Sequence, residues 1–440
     1  MFQWYRELDA GERKTFQACF LGWATDALDT QLFSFLIPTL VGVWAISNSE
    51  AGWLGTSALL SSSVGGWVAG ILCDRIGRVV VMKIAIAWFT VFTIASGFAN
   101  SYEQLLIARV LSGIGFGGEW AAGAVLMGEI IRPAYRGKAV GNVQSAYAVG
   151  YGFAALLSSV LFAVMAPENA WRWMFWIGAL PAFGVFWTLR DVGEPEVFLT
   201  MKKSLETRGE RISPLAIFNR RYLATTILCS LLALGIQGGG FSILIWLPTF
   251  LKSHYQLSAV SVGYYIFVLT CGSFVGYICA AHLCDTIGRR RNFFLFTVLN
   301  WIMIPAFIYA PSLGLVSLLL IFLLGFSLLG IYSALGPYFT ELFPSVIRGS
   351  GQAFAYNFGR AAGAFCPAIV GMLTTANFLQ QREAMAACAM LAYVFVVIAV
   401  ALLPETNGRD LSDVDADMVA PEPQGVNKAR RASAIQEKEA

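Results

Sequence analysis

The sequence is short of charge. Only 13% of its 440 residues are Asp, Glu, Lys or Arg, against 57% hydrophobic, where soluble proteins carry roughly 25% charged residues. That balance excludes an ordinary soluble protein, and the mean hydropathy of +0.65 agrees. Histidine is nearly missing: His254 and His282 stand at the ends of apolar runs, without a triad partner. No Gly-x-x-x-x-Gly-Lys-Ser/Thr loop is present to cradle a nucleotide. Cys19, Cys73, Cys229, Cys271, Cys279, Cys284, Cys366 and Cys388 all lie in or beside apolar runs, none at metal-ligand spacing from a His. Neither a disulfide framework nor a zinc site is expected, and no cofactor. These absences argue against an enzyme. The N-terminus is polar as far as Lys14 and the apolar run behind it is too long for a signal h-region, so no cleavable leader is expected.

What the chain has is long apolar runs. Roughly 18 or more nearly uncharged residues match the hydrocarbon thickness of a bilayer. Such runs predict helices near 16–46, 51–73, 84–99, 104–131, 138–166 and 171–190, then near 221–251, 258–283, 293–310, 313–340, 350–376 and 382–403. The expected class is an all-α membrane protein with twelve transmembrane helices. Gly and Pro within several of them are compatible with membrane helices, whose neighbours or water satisfy the freed backbone groups.

An even number of helices puts both termini on one side, and Lys and Arg mark the cytoplasmic side. With the N-terminus in the cytoplasm, most of the 30 basic residues fall in cytoplasmic segments, among them Arg13, Lys14, Arg75, Arg78, Arg136, Lys138 and Arg289 to Arg291. The net charge of +3 is therefore topological: the basic residues are scattered over short loops, not gathered into a nucleic-acid-binding patch.

The chain also repeats itself. Asp74-Arg75-Ile76-Gly77-Arg78 closes the second helix, and Asp285-Thr286-Ile287-Gly288-Arg289 closes the eighth, 211 residues later. Glu129, seven residues before Arg136-Gly137, leaves the fourth helix; Glu341, seven before Arg348-Gly349, leaves the tenth, an offset of 212. Two unrelated patterns at nearly one offset imply internal duplication, a known transporter plan. The expected domains are an N-terminal six-helix bundle over 1–190, a cytoplasmic linker over 191–220, a C-terminal six-helix bundle over 221–404 and a disordered tail over 405–440. Part of the linker, Glu194 to Thr207, is expected to form a surface helix.

The Asp74 loop resembles the major facilitator superfamily, whose Gly-x-Leu-x-Asp-Arg-x-Gly-Arg signature is matched by Gly70, Leu72, Asp74, Arg75, Gly77 and Arg78. Arg109, Gly113 and Gly115 give its Arg-x-x-x-Gly-x-Gly pattern, and Pro404-Glu405-Thr406-x-Gly408-Arg409 is a familiar facilitator ending. In the first helix Asp26-Ala27-Leu28-Asp29 resembles the Asp-Gly-x-Asp motif of the aromatic acid–proton symporters, Ala27 standing for Gly. Glu119, Glu129, Arg136-Gly137 and Arg360 sit where that group and the sialate (muconate)–proton symporters direct attention. The resemblance implies the major facilitator fold, two pseudo-symmetric six-helix bundles.

A charged side chain at mid-bilayer costs about 2.5–3.5 kcal/mol even on lenient scales, so each buried one needs a role. Asp74, Arg75, Arg78, Glu129 and Arg136 stand at the cytoplasmic edge, where carboxylates cap helix N-termini and pair with Arg; Asp285, Arg289, Glu341 and Arg348 are expected to form a weaker copy of the same latch. Asp26 and Asp29 share a helix face inside the membrane. Two nearby carboxylates resist ionising together, so they are candidate proton carriers or else a hydrogen-bonded helix pair, with Glu119 next in line. Arg cannot deprotonate and must face an anion, fixed or bound. Arg109 is open between pairing with Asp26 or Asp29 and binding substrate. Arg360, without an acidic residue in its own helix, is assigned to a substrate carboxylate or to a bridge to the other half. Among the polar-tipped residues at helix-core depth, Tyr147, Tyr151, Gln237 and Asn357 are the candidate substrate contacts.

The leading reading is a proton-coupled importer of a small organic carboxylate (an aromatic acid, a muconate-like dicarboxylate or a sugar acid) working by alternating access. It is expected to be a monomer in the plasma (inner) membrane. A proton-driven efflux antiporter is the transport alternative, but the fifth helix lacks the Gly-x-x-x-Gly-Pro pattern usual in that group. A non-transporting membrane sensor would need an appended folded domain, and the polar tail is too short for one.

Overall fold

The computed structural model describes residues 3–46, 48–208, 213–257, 259–310, 314–411 and 414, and among these it is helical throughout, without strands. In the first half α1 spans Ala10–Trp44, α2 Asn48–Ile76, α3 Arg78–Gly97, α4 Tyr102–Ile130 and α5 Pro133–Val164, with α6 broken into Pro167–Gly178 and Leu180–Leu189. In the second half α7 spans Leu223–His254, α8 Ala259–Ile287, α9 Arg289–Ile308 and α10 Leu315–Leu342. There α11 is broken into Arg348–Gly363 and Cys366–Thr375, and α12 spans Gln381–Leu402. Large apolar side chains such as Val64, Phe98, Trp187 and Leu315 are exposed; on a membrane protein such faces meet lipid. The linker forms a helix over Glu196–Arg208, within two residues of the expected 194–207. Of the tail over 405–440 expected to be disordered, residues 405–411 and 414 are described, and Glu405, Thr406 and Asn407 there are hydrogen-bonded to α9 and α10; the rest, like linker residues 209–212, lies outside the described residues.

Among the described residues nine helices are long and apolar enough to cross a membrane. The three traverses that fall short are α1, α6 and α11. A break at Ala179 interrupts α6. Polar residues, Asn357 and Arg360 among them, dilute α11, and two side chains of α1, at 37–38, lie outside the described residues. Several expected starts shift by four to six residues, those of α1, α5 and α6 to Ala10, Pro133 and Pro167. The helices α3 and α9 begin at Arg78 and Arg289, not near 84 and 293, because both arginines are bonded into the helix start instead of being solvated in a loop.

Small residues bring backbones together, the usual packing device where lipid removes the hydrophobic drive between helices. A Cβ on Gly117 of α4 would strike the Ser62 carbonyl of α2, and one on Gly150 of α5 would strike the Ala24 carbonyl of α1. Between the halves, Gly70 of α2 abuts Gly349 and Ala353 of α11, and Gly141 of α5 abuts Ala281 of α8. These contacts close the end where the Asp74 and Asp285 loops lie, the latched end. Away from it α5 and α8 diverge, leaving a cleft of about 960 Å³ lined by Phe35, Tyr151, Ser158, Thr270, Cys271 and Phe274 among others.

Candidate functional site

Midway along the helices, α1 and α4 carry four buried ionisable side chains, and the structure sorts them into two pairs. Asp29 meets Arg109 at 2.8 Å, and Thr93 of α3 donates to the other carboxylate oxygen at 3.2 Å. The guanidinium lies over the Phe33 and Phe175 rings, 5.0 and 5.7 Å from their centroids. Neither partner is more than 4% exposed. Of the two roles left open for Arg109, pairing within the N-terminal half is the one the geometry fills.

Asp26 instead hydrogen-bonds Glu119. The carboxyls in contact are therefore Asp26 and Glu119 across two helices, not Asp26 and Asp29 along one. A carboxyl–carboxyl hydrogen bond requires at least one proton between the two groups, so this pair does not carry two negative charges at once. Gly22 of α1 makes room for it: a Cβ there would overlap Glu119 Oε1. Asp26 Oδ2 and Glu119 Oε2 are buried without a hydrogen-bond partner.

Arg360 approaches this pair from α11. Its side chain is 6% exposed and makes no ion pair with a carboxylate among the described residues. Its one side-chain hydrogen bond runs from Nη1 to Ser62 Oγ of α2 at 3.2 Å. The guanidinium sits over Phe116 and Tyr356, 5.0 and 5.1 Å from their centroids, and its charge acts on Asp26 and on the Tyr147 hydroxyl. Trp120 stacks on Tyr356 with centroids 3.4 Å apart, and Trp23 packs against Phe116, Trp120 and Tyr147. Packed aromatic rings thus surround a cation and the nearby pair of carboxyls.

The other sequence candidates fall in different places. Tyr147 accepts from Gln31 Nε2 at 3.3 Å and belongs to this centre. Tyr151, one turn on, packs on Phe35 at the cleft wall. Gln237 donates to the Tyr356 carbonyl at 2.9 Å, tying α7 to α11. Asn357 donates to Ala353 O of its own helix, presses on Gly66 of α2 and leaves Oδ1 unpartnered.

At the latched end the repeat becomes visible as chemistry. Asp74 accepts from Gly349 N (2.9 Å), Ser350 N (2.7 Å) and Ser350 Oγ (2.7 Å), capping α11 across the halves. Asp285 accepts from Gly137 N and Lys138 N at 2.9 and 2.8 Å, capping the first turn of the helix Arg136–Gln144 within α5 in the same way. Arg78 grips Glu129 with two bonds of 2.9 Å, and Arg348 reaches the same carboxylate at 2.6 Å. Arg289 grips Glu341 at 3.1 and 2.8 Å while Arg136 reaches it at 3.2 Å. Arg75 is exposed and joins none of these pairs. In the second set Thr406 and Asn407 add bonds to Glu341 and Arg289, as Ser350 and Ser345 do to Asp74 and Arg348 in the first.

Sequence reasoning missed Glu194. Its carboxylate accepts from Arg78, Val79 and Val80 N at 2.7, 2.9 and 3.1 Å, capping α3. Glu405 does the same for Arg289 and Arg290 N on α9. Both carboxylates fit because Gly77 and Gly288 have φ of +123° and +96° and no Cβ. The signal was in the sequence, since Glu194 and Glu405 stand 211 apart, the offset of Asp74 and Asp285. Ser62 was missed as well; within Ser61-Ser62-Ser63 nothing singles it out.

Comparison with known proteins decides the family. The family model described as Major Facilitator Superfamily matches residues 19–365. The chain belongs to the major facilitator superfamily. It is 43% identical over 422 residues to a probable 4-methylmuconolactone transporter of Cupriavidus pinatubonensis, covering 96% of this chain and 97% of that one. It is 30% identical to the cis,cis-muconate transport protein of Acinetobacter baylyi, covering 82% and 87%. Among solved structures, the proton:xylose symporter XylE superposes with a TM-score of 0.78 at 19% identity over 92% of this chain and 99% of that one, a likeness of fold. As a major facilitator this is a multi-pass membrane transporter and not an enzyme.

Proposed function

We propose that the protein imports a small organic carboxylate together with protons across the plasma (inner) membrane, with both termini and the latched end in the cytoplasm. The observation that carries this reading is Arg360: a buried, permanently charged guanidinium without an ion-pairing carboxylate among the described residues, set beside the contacting carboxyls of Asp26 and Glu119. The basic residues of the latched end favour that sidedness, and the cleft between α5 and α8 then opens outward. Muconate, carried by one relative, is a dicarboxylate, and a planar guanidinium matches a carboxylate with two parallel hydrogen bonds.

Coupling follows from charge balance. Before substrate arrives, Arg360 offsets a single negative charge on Asp26 and Glu119. An incoming carboxylate takes over the guanidinium, so the acid pair loses its counter-charge and takes a second proton from the outside. With a monocarboxylate the site is then neutral overall, and with a dicarboxylate it keeps one negative charge, so the halves rock with little uncompensated charge in a low-dielectric core. Asp29 and Arg109 neutralise each other throughout and serve as scaffold.

The test is uptake into vesicles of a panel of labelled acids, including cis,cis-muconate, benzoate and sialic acid. Uptake of at least one should rise when the outside is acidified and collapse with a protonophore. Uptake that follows a sodium gradient and ignores pH overturns the reading.

A further inference from the structure

Below Glu119, toward the latched end, lies a second, smaller cavity between α1, α4, α5 and α10. Cys19, Trp23, Glu119, Gly123, Gln144 and Gly336 are among the residues that line it. Its volume of about 20 Å³ exceeds the ~10–15 Å³ that the centre of one water molecule requires. The wall is polar enough to hold one: Glu119 Oε2 and Trp23 Nε1 are buried there without hydrogen-bond partners, and Gln144 adds an amide. The ionisable groups facing Glu119 are Asp26, hydrogen-bonded to it, and the buried Cys19 thiol, which donates to Gly123 O.

We propose that this cavity is a water site that takes the proton from Glu119 toward the cytoplasm, separate from the substrate path, and that Val140 seated on Gly336 is its plug. The proposal rests on the proton-coupled reading above. The O–H bond at Glu119 breaks and one forms on the water oxygen, leaving a carboxylate to be reprotonated from outside in the next cycle. Val140 belongs to α5 in the N-terminal half and Gly336 to α10 in the C-terminal half. They are so close that a Cβ on Gly336 would lie 2.6 Å from Val140 Cγ1. Nearby, Gly128 of α4 meets Thr340 of α10 just as closely. The seal is thus a contact between the halves. It closes when the latch closes and parts when the halves separate at that end. Glu119 is thereby shut off from the cytoplasm while the cleft faces outward, the condition that prevents a free proton leak.

The experiment uses the full chain in vesicles loaded with a pH-sensitive dye, with an imposed pH gradient and no substrate. Val140→Ala removes methyl groups from the plug and should leak protons several-fold faster than the unaltered protein, without leaking preloaded labelled acid. Gly123→Ala fills the cavity; its methyl meets Glu119 Oε1, Met82 Cε and Cys19 Sγ at 3.6, 3.8 and 3.9 Å, ordinary contact distances. Added to Val140→Ala it should return the leak to the original rate. If Val140→Ala fails to assemble, Gly336→Ala displaces the same valine side chain and should leak likewise. Variants as tight as the unaltered protein, or a leak that Gly123→Ala leaves untouched, overturn the proposal. Absence of pH-driven uptake by the unaltered protein overturns the proposed function instead, so the two failures are told apart.

Discussion

At the latched end the two halves of the molecule are near copies: Asp74 and Asp285 cap opposite helices, Glu129 and Glu341 each gather two arginines, and Glu194 and Glu405 each cap the helix that follows the loop. At mid-membrane the likeness ends. The N-terminal half buries Asp26, Asp29, Arg109 and Glu119, whereas the C-terminal half brings Arg360 among amides and aromatics. A duplicated gene keeps what both halves need, a clasp that opens and closes, and is free to diverge where the work is divided. We infer that the acid-bearing half handles the proton and the half with the unpaired cation handles the anion.

That division breaks most visibly at Arg360. Removing one partner of a desolvated charge pair costs on the order of 3–5 kcal/mol, or two to three orders of magnitude in affinity at about 1.4 kcal/mol per tenfold. Arg360→Ala should lose that much equilibrium binding of the acid, while a neutral ester analogue loses little. Arg360→Lys, charged but without the planar fork, should bind measurably and poorly. Equal losses for acid and ester would make Arg360 a brace between the halves.

Asp29 and Arg109 sharpen the same comparison by stability. Asp29→Asn orphans a buried guanidinium and should destabilise the fold by a similar ~3–5 kcal/mol, read as a lowered melting temperature in detergent. Replacing Arg109 by Gln in that background should recover part of the loss, since contacting residues couple in a double-mutant cycle. A stable Asp29→Asn protein that accumulates nothing would return Asp29 to the proton path.

Asp26→Asn and Glu119→Gln, by contrast, should leave the protein folded and its counterflow exchange measurable while pH-driven accumulation falls to the equilibrium level. Normal accumulation by both would remove the acid pair from coupling.

The smallest effects belong to the latch, where the halves agree. A charge at a helix N-terminus is worth up to about 2 kcal/mol when partly buried. Asp74→Asn and Asp285→Asn should each slow switching with little change in substrate affinity, and to a similar degree. A large difference between them would show that the two clasps are unequal in force despite equal geometry.

Much of this was legible in the sequence because a bilayer fixes the length of an apolar run and a duplication repeats its motifs at one offset. The offset pointed to Asp74, Asp285, Glu129 and Glu341 and their arginines, whereas Arg75, named with them, joins none of the pairs and Glu194 and Glu405 were missed. Which acid meets which base could not be read there. Asp26 and Asp29, three residues apart on α1, look like a pair, yet α4 separates them by presenting Glu119 to one and Arg109 to the other. That depends on how α1 and α4 pack, through contacts such as Glu119 on Gly22, which no spacing along one helix reveals. That Arg360 meets no acid on its own helix was readable; that it meets Ser62, 298 residues away on α2, was not.

The caps made by Glu194 and Glu405 have an engineering consequence. Each fastens the last segment of a half onto a loop of that same half, so each six-helix unit ends with its own closure and does not depend on the chain continuing. Cut within 209–212 and produced as two polypeptides, the transporter should reassemble in the membrane from its pieces, held by the crossed carboxylate caps and the close seam between α2 and α11.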